Sequence, residues 1–146
     1  MTKTFDMQFI RYINIFGRVT QVPAKHCFAY NNMIVFVVPA AGVQMAIGRN
    51  NSNLKKLSAI IEKRVRIVSQ PRGIGDLQGF VATIISPAQF EKLEVAEKTD
   101  SGQKEAIITT NGRENKAMLI GRERAREREL KDILEQYFGI KGLRIL

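Results

Sequence analysis

The chain has 146 residues, of which 45% are hydrophobic, and this suits one ordinary domain or two small ones with buried cores. A single Cys (Cys27) and a single His (His26) exclude an internal disulfide and a Cys/His zinc site, and they are typical of a protein of the reducing cytoplasm. The net charge of +9 favours a polyanionic partner, whereas no segment approaches the ~18 consecutive apolar residues of a membrane span.

The first half of the chain predicts a helix, two strands, two helices around a glycine turn, and a last strand. The glycine turn is the feature that recurs later. In chain order, we expect a helix from Phe5 to Phe16 stopped by Gly17, strands at 25–30 and 33–38 joined by a turn at 31–32, a short helix at 41–47, a break at 48–51, a helix capped by Ser52, and a strand at 64–70.

The second half repeats this order after a linker at 71–75, whose glycines lack the spacing of a dinucleotide-binding loop. In chain order, we expect a helix from an Asp76 cap to Ile85, strands at 90–97 and 105–110, a helix from an Asn111 cap to Ile120, a break at 121–124, a helix at 125–138 closed by Gly139, and a strand at 143–146.

Two short sequence matches support a duplication. Met-Ala-Ile-Gly-Arg at 45–49 returns as Met-Leu-Ile-Gly-Arg at 118–122, and Val-Arg-Ile-Val at 65–68 resembles Leu-Arg-Ile-Leu at 143–146. We therefore predict an α+β chain of two domains, 1–70 and 71–146. The first holds ten basic and two acidic residues and the second thirteen and twelve, so the first supplies most of the attraction for an anion.

A helix, Ile-Gly-x-x and a second helix beside a small sheet resemble the type II KH arrangement. Arg-Tyr-Ile-Asn at 11–14, the segment 46–57 and Tyr-Phe-Gly-Ile at 137–140 further resemble the archaeal NusA-like transcription factors. The resemblance implies two tandem type II KH domains, each a three-stranded sheet packed with helices. It also implies binding of single-stranded RNA, about four nucleotides per domain, in transcription elongation, termination or antitermination.

The partners implied are the nascent transcript and, beyond it, RNA polymerase or ribosome-associated proteins. At the first loop, helix N–H groups and Arg49 are expected to contact phosphate, with lysines flanking it and apolar residues flooring a groove. The candidate RNA-binding residues of the first domain are Ile47, Gly48, Arg49, Asn50, Asn51, Leu54, Lys55 and Lys56. The same residues also fit a plain core (Ile47, Leu54) and a solvated helix face (Lys55, Lys56).

Both loops depart from the Gly-x-x-Gly pattern of the family, because Asn51 and Arg124 replace its second glycine. Asn tolerates left-handed backbone better than Arg, and Glu123 brings a negative charge to the second loop. The candidate RNA-binding residues there are Gly121, Arg122, Arg124 and Arg126, although the mixed charges of this run also fit a solvated helix face.

The sequence predicts no enzyme, no cofactor and no metal site. His26 and Cys27 are neighbours in a predicted strand, so their side chains point to opposite faces. Two alternatives remain beside transcription: a role in ribosome assembly or translation, and a KH scaffold for protein contacts that has largely lost RNA binding.

Overall fold

The computed structural model describes residues 7–146, so the predicted helix start at Phe5 lies outside the described residues. The predicted α+β class is confirmed: the described part of the chain has six α-helices and two three-stranded sheets. The described residues up to Gln70 form one compact unit, and Pro71–Leu146 form a second. No helix among the described residues is long and apolar enough to cross a membrane.

The first unit begins with a helix and a hairpin. Its elements are α1 (Met7–Thr20), β1 (His26–Tyr30), β2 (Met33–Val38), α2 (Val43–Ile47), α3 (Ser52–Ile61) and β3 (Arg64–Ser69). Asn31 and Asn32 both have positive φ, 52° and 62°, which confirms the predicted tight turn and suits the twist of a two-residue hairpin.

Strand β2 is the centre of the first sheet. It pairs antiparallel with β1 (Cys27 opposite Phe36) and parallel with β3 (Phe36 opposite Ile67). All six residues of β2 are buried, which accounts for its unbroken run of apolar side chains. The parallel pairing places the end of α3 and the start of β3 beside the start of β2.

The core of the first unit packs α1 and α3 on one face of this sheet. The rings of Phe16 and Phe36 stack with centroids 4.4 Å apart, and both side chains are fully buried. Leu57 and Ile61 supply the buried face of α3. These apolar contacts fix α3, and with it the glycine turn that precedes it.

The prediction that α1 stops at Gly17 is wrong. Val19 packs against the core and Thr20 is buried, so the apolar face of the helix continues past the glycine. The Thr20 hydroxyl donates to the Phe16 carbonyl at 2.8 Å, and Gln21, with φ of 62°, ends the helix. Burial of one further turn therefore outweighs the helix-weakening effect of Gly17.

The second unit repeats the element order of the first. Its elements are α4 (Leu77–Ile85), β4 (Lys92–Glu97), β5 (Lys104–Thr109), α5 (Arg113–Ile120), α6 (Ala125–Phe138) and β6 (Gly142–Ile145). β5 pairs antiparallel with β4 and parallel with β6. Phe80 of α4 packs against Tyr137 and Phe138 of α6 with ring centroids 5.1 and 5.8 Å away.

Two predicted helix caps differ from the structure, and a third has the predicted position without the capping hydrogen bond. Ser52 is the first residue of α3, which follows a left-handed Asn51, and α5 follows Gly112 rather than Asn111 because Gly112 makes the turn at φ of 98°. Asp76 does precede α4, but it makes no side-chain cap; its carboxylate accepts a hydrogen bond from the Arg72 N–H at 2.8 Å. By contrast, Gly139 closes α6 as predicted, with φ of 66°.

Candidate nucleic-acid interface

The first glycine turn reverses the chain between α2 and α3 with three residues of positive φ. Gly48 has φ, ψ of 82°, 166°, Asn50 has 55°, 35°, and Asn51 has 61°, 27°. The Asn51 N–H donates to the Gly48 carbonyl at 3.2 Å and closes the turn. Asn is among the residues that adopt left-handed backbone most readily, so two asparagines suit this geometry.

Gly48 is required by space as well as by its dihedral angles. A Cβ atom at this position would lie 2.8 Å from the Ser52 Oγ and 3.0 Å from the Asn53 N. The turn therefore packs directly on the first turn of α3. Asn53 also ties α3 to α2 across the turn, because its side-chain amide donates a hydrogen bond to the Met45 carbonyl at 3.3 Å.

Helix α3 begins without a side-chain cap at Asn51. The first N–H groups of an α-helix have no partner within the helix, and the helix dipole makes that end electropositive. An uncapped N-terminus of a ten-residue helix beside an exposed Arg49 is thus able to donate hydrogen bonds to an anion such as a phosphate.

A groove of about 320 Å³ lies between α3 and β3, next to this turn. One wall is a single face of α3, since its residues are three or four positions apart. The other wall is the start of β2 and of β3. The lining residues are Asn51, Leu54, Lys55 and Ser58 of the helix side and Met33, Arg64, Val65 and Arg66 of the strand side.

The groove has an apolar floor and a cationic rim. Leu54 and Val65 also pack against the core, so Leu54 fits both the core and the groove interpretations of the sequence. Lys55, Arg64 and Arg66 supply positive charge. Burial, with the neighbouring Arg64 as second cause, lowers the pKa of Arg66, although a guanidinium stays protonated at any physiological pH.

Sequence reasoning missed the strand side of the groove. The predicted residues Asn51, Leu54 and Lys55 line it, whereas Arg64 and Arg66 were assigned only to a strand. Their alternation in Arg-Val-Arg-Ile was the available signal, because it places two arginines on one face of an edge strand. Arg64 is steadied by a 2.9 Å hydrogen bond to the Asn31 carbonyl.

The other predicted residues of the first domain lie around the groove rather than in its walls. Gly48, Arg49 and Asn50 form the turn at its end. Ile47 packs against the hydrophobic core, as the core interpretation expected. Lys56 is exposed on α3 next to Lys55, so it points about 100° away around the helix axis.

The second turn has almost the same backbone as the first. Gly121 has φ, ψ of 75°, 172°, Glu123 has 56°, 28°, and Arg124 has 63°, 23°. A Cβ at Gly121 would lie 2.9 Å from the Arg126 N. Arg124 costs more free energy than glycine in a left-handed conformation, yet the turn keeps its shape with Glu123 and Arg124 in that conformation.

Arg124 of the second turn and Arg126 and Arg128 of α6 have partners within the unit, and Arg122 of the turn is exposed. Arg124 lies 3.7 Å from Glu127, and Arg126 lies 3.1 Å from Glu129. The Arg128 guanidinium donates to the Glu123 carbonyl at 2.7 Å. These contacts give the predicted residues Arg124 and Arg126 a structural role within the unit.

His26 and Cys27 form no site together. They alternate on β1, where Cys27 is buried and His26 is half-buried. Burial raises the pKa of Cys27 to about 12, so its thiol is protonated and unreactive at neutral pH. Within residues 7–146, no three His, Cys, Asp or Glu side chains are grouped to hold a metal ion.

The fold and the groove define the class of this protein: two small α+β units, each with a glycine turn between two helices beside a three-stranded sheet. The crystal structure of APE1850 shares this architecture, with a TM-score of 0.69 and 25% identity over 97% of this chain and 100% of that one. No protein-family model matches the chain.

Archaeal proteins named probable transcription termination protein NusA are similar to the chain over most of its length. The relative from Halobacterium salinarum is 25% identical over 145 residues and 99% of both chains. Those from Methanocaldococcus jannaschii and Thermoplasma acidophilum are 26% and 22% identical, over 94% and 97% of this chain and 72% and 94% of their own. The chain is thus NusA-like at low identity.

Proposed function

We propose that this chain is an RNA-binding transcription factor of the NusA kind, built from two tandem type II KH domains with the boundaries 1–70 and 71–146. It binds single-stranded RNA without catalysis and acts in elongation, termination or antitermination on the nascent transcript. RNA polymerase is the natural second partner of such a factor, and the cytoplasm its location. The name shared by the archaeal relatives supports the process.

The observation that carries the proposal is the groove of the first unit. A glycine turn and an uncapped helix N-terminus lie at its end, where they suit a phosphate. Leu54 and Val65 provide an apolar floor for bases, and Lys55, Arg64 and Arg66 provide a cationic rim. An apolar floor with a cationic rim fits a nucleic-acid strand whose bases are unpaired.

The test is a fluorescence-anisotropy titration of random-sequence single-stranded RNA with the whole protein, Arg49→Glu and Lys98→Glu. Both variants change the net charge equally, but Lys98 is an exposed residue at the end of β4, outside the first unit. We expect Arg49→Glu to weaken binding about tenfold or more and Lys98→Glu to change it by less than about threefold. Equal losses in the two variants would reject the first turn as the site.

The process is tested separately from RNA binding. Co-purification of the protein with RNA polymerase supports the transcription role, whereas co-purification with ribosomal subunits supports the ribosomal alternative. The scaffold alternative predicts no RNA binding, or binding that salt does not weaken, because phosphate contacts always weaken as the salt concentration rises.

A further inference from the structure

Around its glycine turn, the second unit has a surface equivalent to the first groove, here called the second groove. The two differ in charge although the turns have nearly the same backbone. Resting on the proposed function, we infer that the chain binds RNA through the first groove alone, over a segment of about four nucleotides. Carboxylates of the second unit close its groove to phosphate. The second unit therefore adds no phosphate contact to the complex.

The sequence repeat and the strand register assign equivalent positions in the two units. The loop offset of 73 residues, the separation of Gly48 and Gly121, aligns Leu54 with Glu127 and Lys56 with Glu129. In the sheets, Met33 is opposite Arg64, and Glu105 is opposite Gly142. Since the strand repeat aligns Arg66 with Arg144, Met33 corresponds to Glu105.

Three positions that are apolar or cationic in the first unit thus become carboxylates in the second. Met33, Leu54 and Lys56 are replaced by Glu105, Glu127 and Glu129. Glu127 in place of Leu54 removes one of the two residues of the apolar floor, whereas Leu143 keeps an apolar side chain at the position of Val65. Glu127 also brings a negative charge to the helix face that corresponds to the groove wall, and Glu129, like Lys56, lies beside that face.

The three carboxylates hold cations of the second unit that would otherwise be available to RNA. Glu105 lies 3.5 Å from Arg144, Glu127 3.7 Å from Arg124, and Glu129 3.1 Å from Arg126. The three glutamates are 17–24% exposed, but Arg124 and Arg144 are 73% and 57% exposed. Water therefore screens the Arg126–Glu129 pair, in which both side chains are largely covered, less than the other two. A phosphate would have to displace a carboxylate from Arg124, Arg126 or Arg144 in order to bind that arginine.

The backbone of the two turns does not explain why only the first unit would bind phosphate. The second turn matches the φ and ψ of the first within about 10°, and α6, like α3, begins without a side-chain cap. A turn that could receive phosphate is therefore present in both units. Only the side chains around it decide which one binds.

The first test compares Arg49→Glu, Arg122→Glu and the charge-matched Lys98→Glu on random-sequence single-stranded RNA of 4, 8 and 12 nucleotides. Arg122 occupies in the second turn the position of Arg49 in the first. We expect Arg49→Glu to lose about tenfold or more at every length and Arg122→Glu to match Lys98→Glu within about twofold. A loss with Arg122→Glu that approaches the loss with Arg49→Glu would overturn the inference, whereas a wild-type protein that binds none of the RNAs would reject the proposed function itself.

The second test removes two of the carboxylates that we infer close the second groove. The double variant Glu127→Leu/Glu129→Lys installs the first unit's own residues, and Glu94→Leu/Glu97→Lys makes the same charge change on exposed positions of β4. We expect the first variant to bind the 12-nucleotide RNA about tenfold more tightly than the control variant does, with little difference on the 4-nucleotide RNA. Equal affinities of the two variants for the longer RNA would show that these carboxylates do not close the groove, and the inference would be wrong.

Discussion

Gly48 combines two constraints that are separable at other glycines of the chain. Its φ is 82°, and a Cβ would also meet the Ser52 Oγ and the Asn53 N at 3.0 Å or less. Gly102, in the hairpin between β4 and β5, has a φ of 72° with no atom within 4 Å of the added Cβ. A comparison of substitutions at Gly48 and Gly102 therefore separates the cost of a strained φ from the cost of a steric collision.

We predict that Gly48→Ala lowers the free energy of unfolding by about 2–4 kcal/mol, and Gly102→Ala by about 1 kcal/mol. The first substitution adds a collision with backbone to the strain that both share. Urea unfolding of the three proteins measures both values. Equal losses would mean that the neighbours of Gly48 move aside without cost.

His26, the single histidine of the sequence, makes the free energy of unfolding depend on pH. Burial, with Lys25 as second cause, lowers the pKa of His26 below its ordinary value of 6.5. As the pH falls through 6.5, the unfolded chain takes up this proton before the folded chain does, so the folded state loses stability. The contribution of His26 is intact above that pH.

We predict that the free energy of unfolding falls between pH 7.5 and 5.5 and that His26→Gln reduces the fall, because Gln does not titrate. Chemical denaturation of both proteins at several pH values measures the effect. Parallel pH profiles for the two proteins would show that His26 titrates alike in the folded and unfolded chains.

At the scale of residues, the sequence predicts both glycine turns and the helix side of the groove but not its strand side. Gly48 and Asn51 were recognisable because glycine and asparagine mark left-handed backbone. Arg64 and Arg66 were not recognisable as groove residues, because their place depends on β3 pairing in parallel with β2 and packing beside α3. Such proximity is a property of the tertiary fold and has no local sequence signal.

At the scale of elements, the course of α1 shows how burial decides where a helix ends. Gly17 lies within the helix, and a Cβ there would meet no atom within 4 Å. We predict that Gly17→Ala raises the free energy of unfolding by about 0.5–1 kcal/mol, since alanine restricts the unfolded chain and favours the helix. Thermal and urea unfolding measure the gain, and Gly79→Ala in α4, where the space is also open, is the matched comparison.

The predicted elements were right in kind and order, and the errors concentrate at helix ends. The strands at 33–38 and the helix at 125–138 have the observed bounds, because apolar periodicity extends over their whole length. The Ser52 and Asn111 caps failed because left-handed residues, Asn51 and Gly112, made the turn instead. Local capping preference is worth only about 1 kcal/mol, which tertiary packing readily outweighs.

At the scale of the whole molecule, the distribution of charge matters more than its sum. Residues 1–70 carry nearly all of the excess of +9, and the cationic rim lies in that same unit. In the proposed complex, the long-range attraction and the phosphate contacts therefore both come from the first unit, and association with a polyanion gains from both.

We predict that the logarithm of RNA affinity falls linearly with the logarithm of salt concentration and that Lys55→Gln makes the slope shallower by about 0.7, the value for one phosphate contact on a single strand. Lys98→Gln removes an equal charge outside the first unit and is expected to leave the slope nearly unchanged. Titrations at four or more salt concentrations provide the slopes. A slope unaffected by Lys55→Gln would place its ammonium away from phosphate.

The buried thiol on β1 can report how often the first sheet opens. Cys27 is the single cysteine of the sequence, it is 2% exposed, and burial raises its pKa to about 12. A thiol-specific alkylating reagent can therefore react only with molecules in which the first sheet has opened and the sulfur has reached water. The rate at which native protein gains a single adduct therefore measures the rate or population of these openings, and no added label is needed. A bound ligand that keeps the sheet closed would lower this alkylation rate.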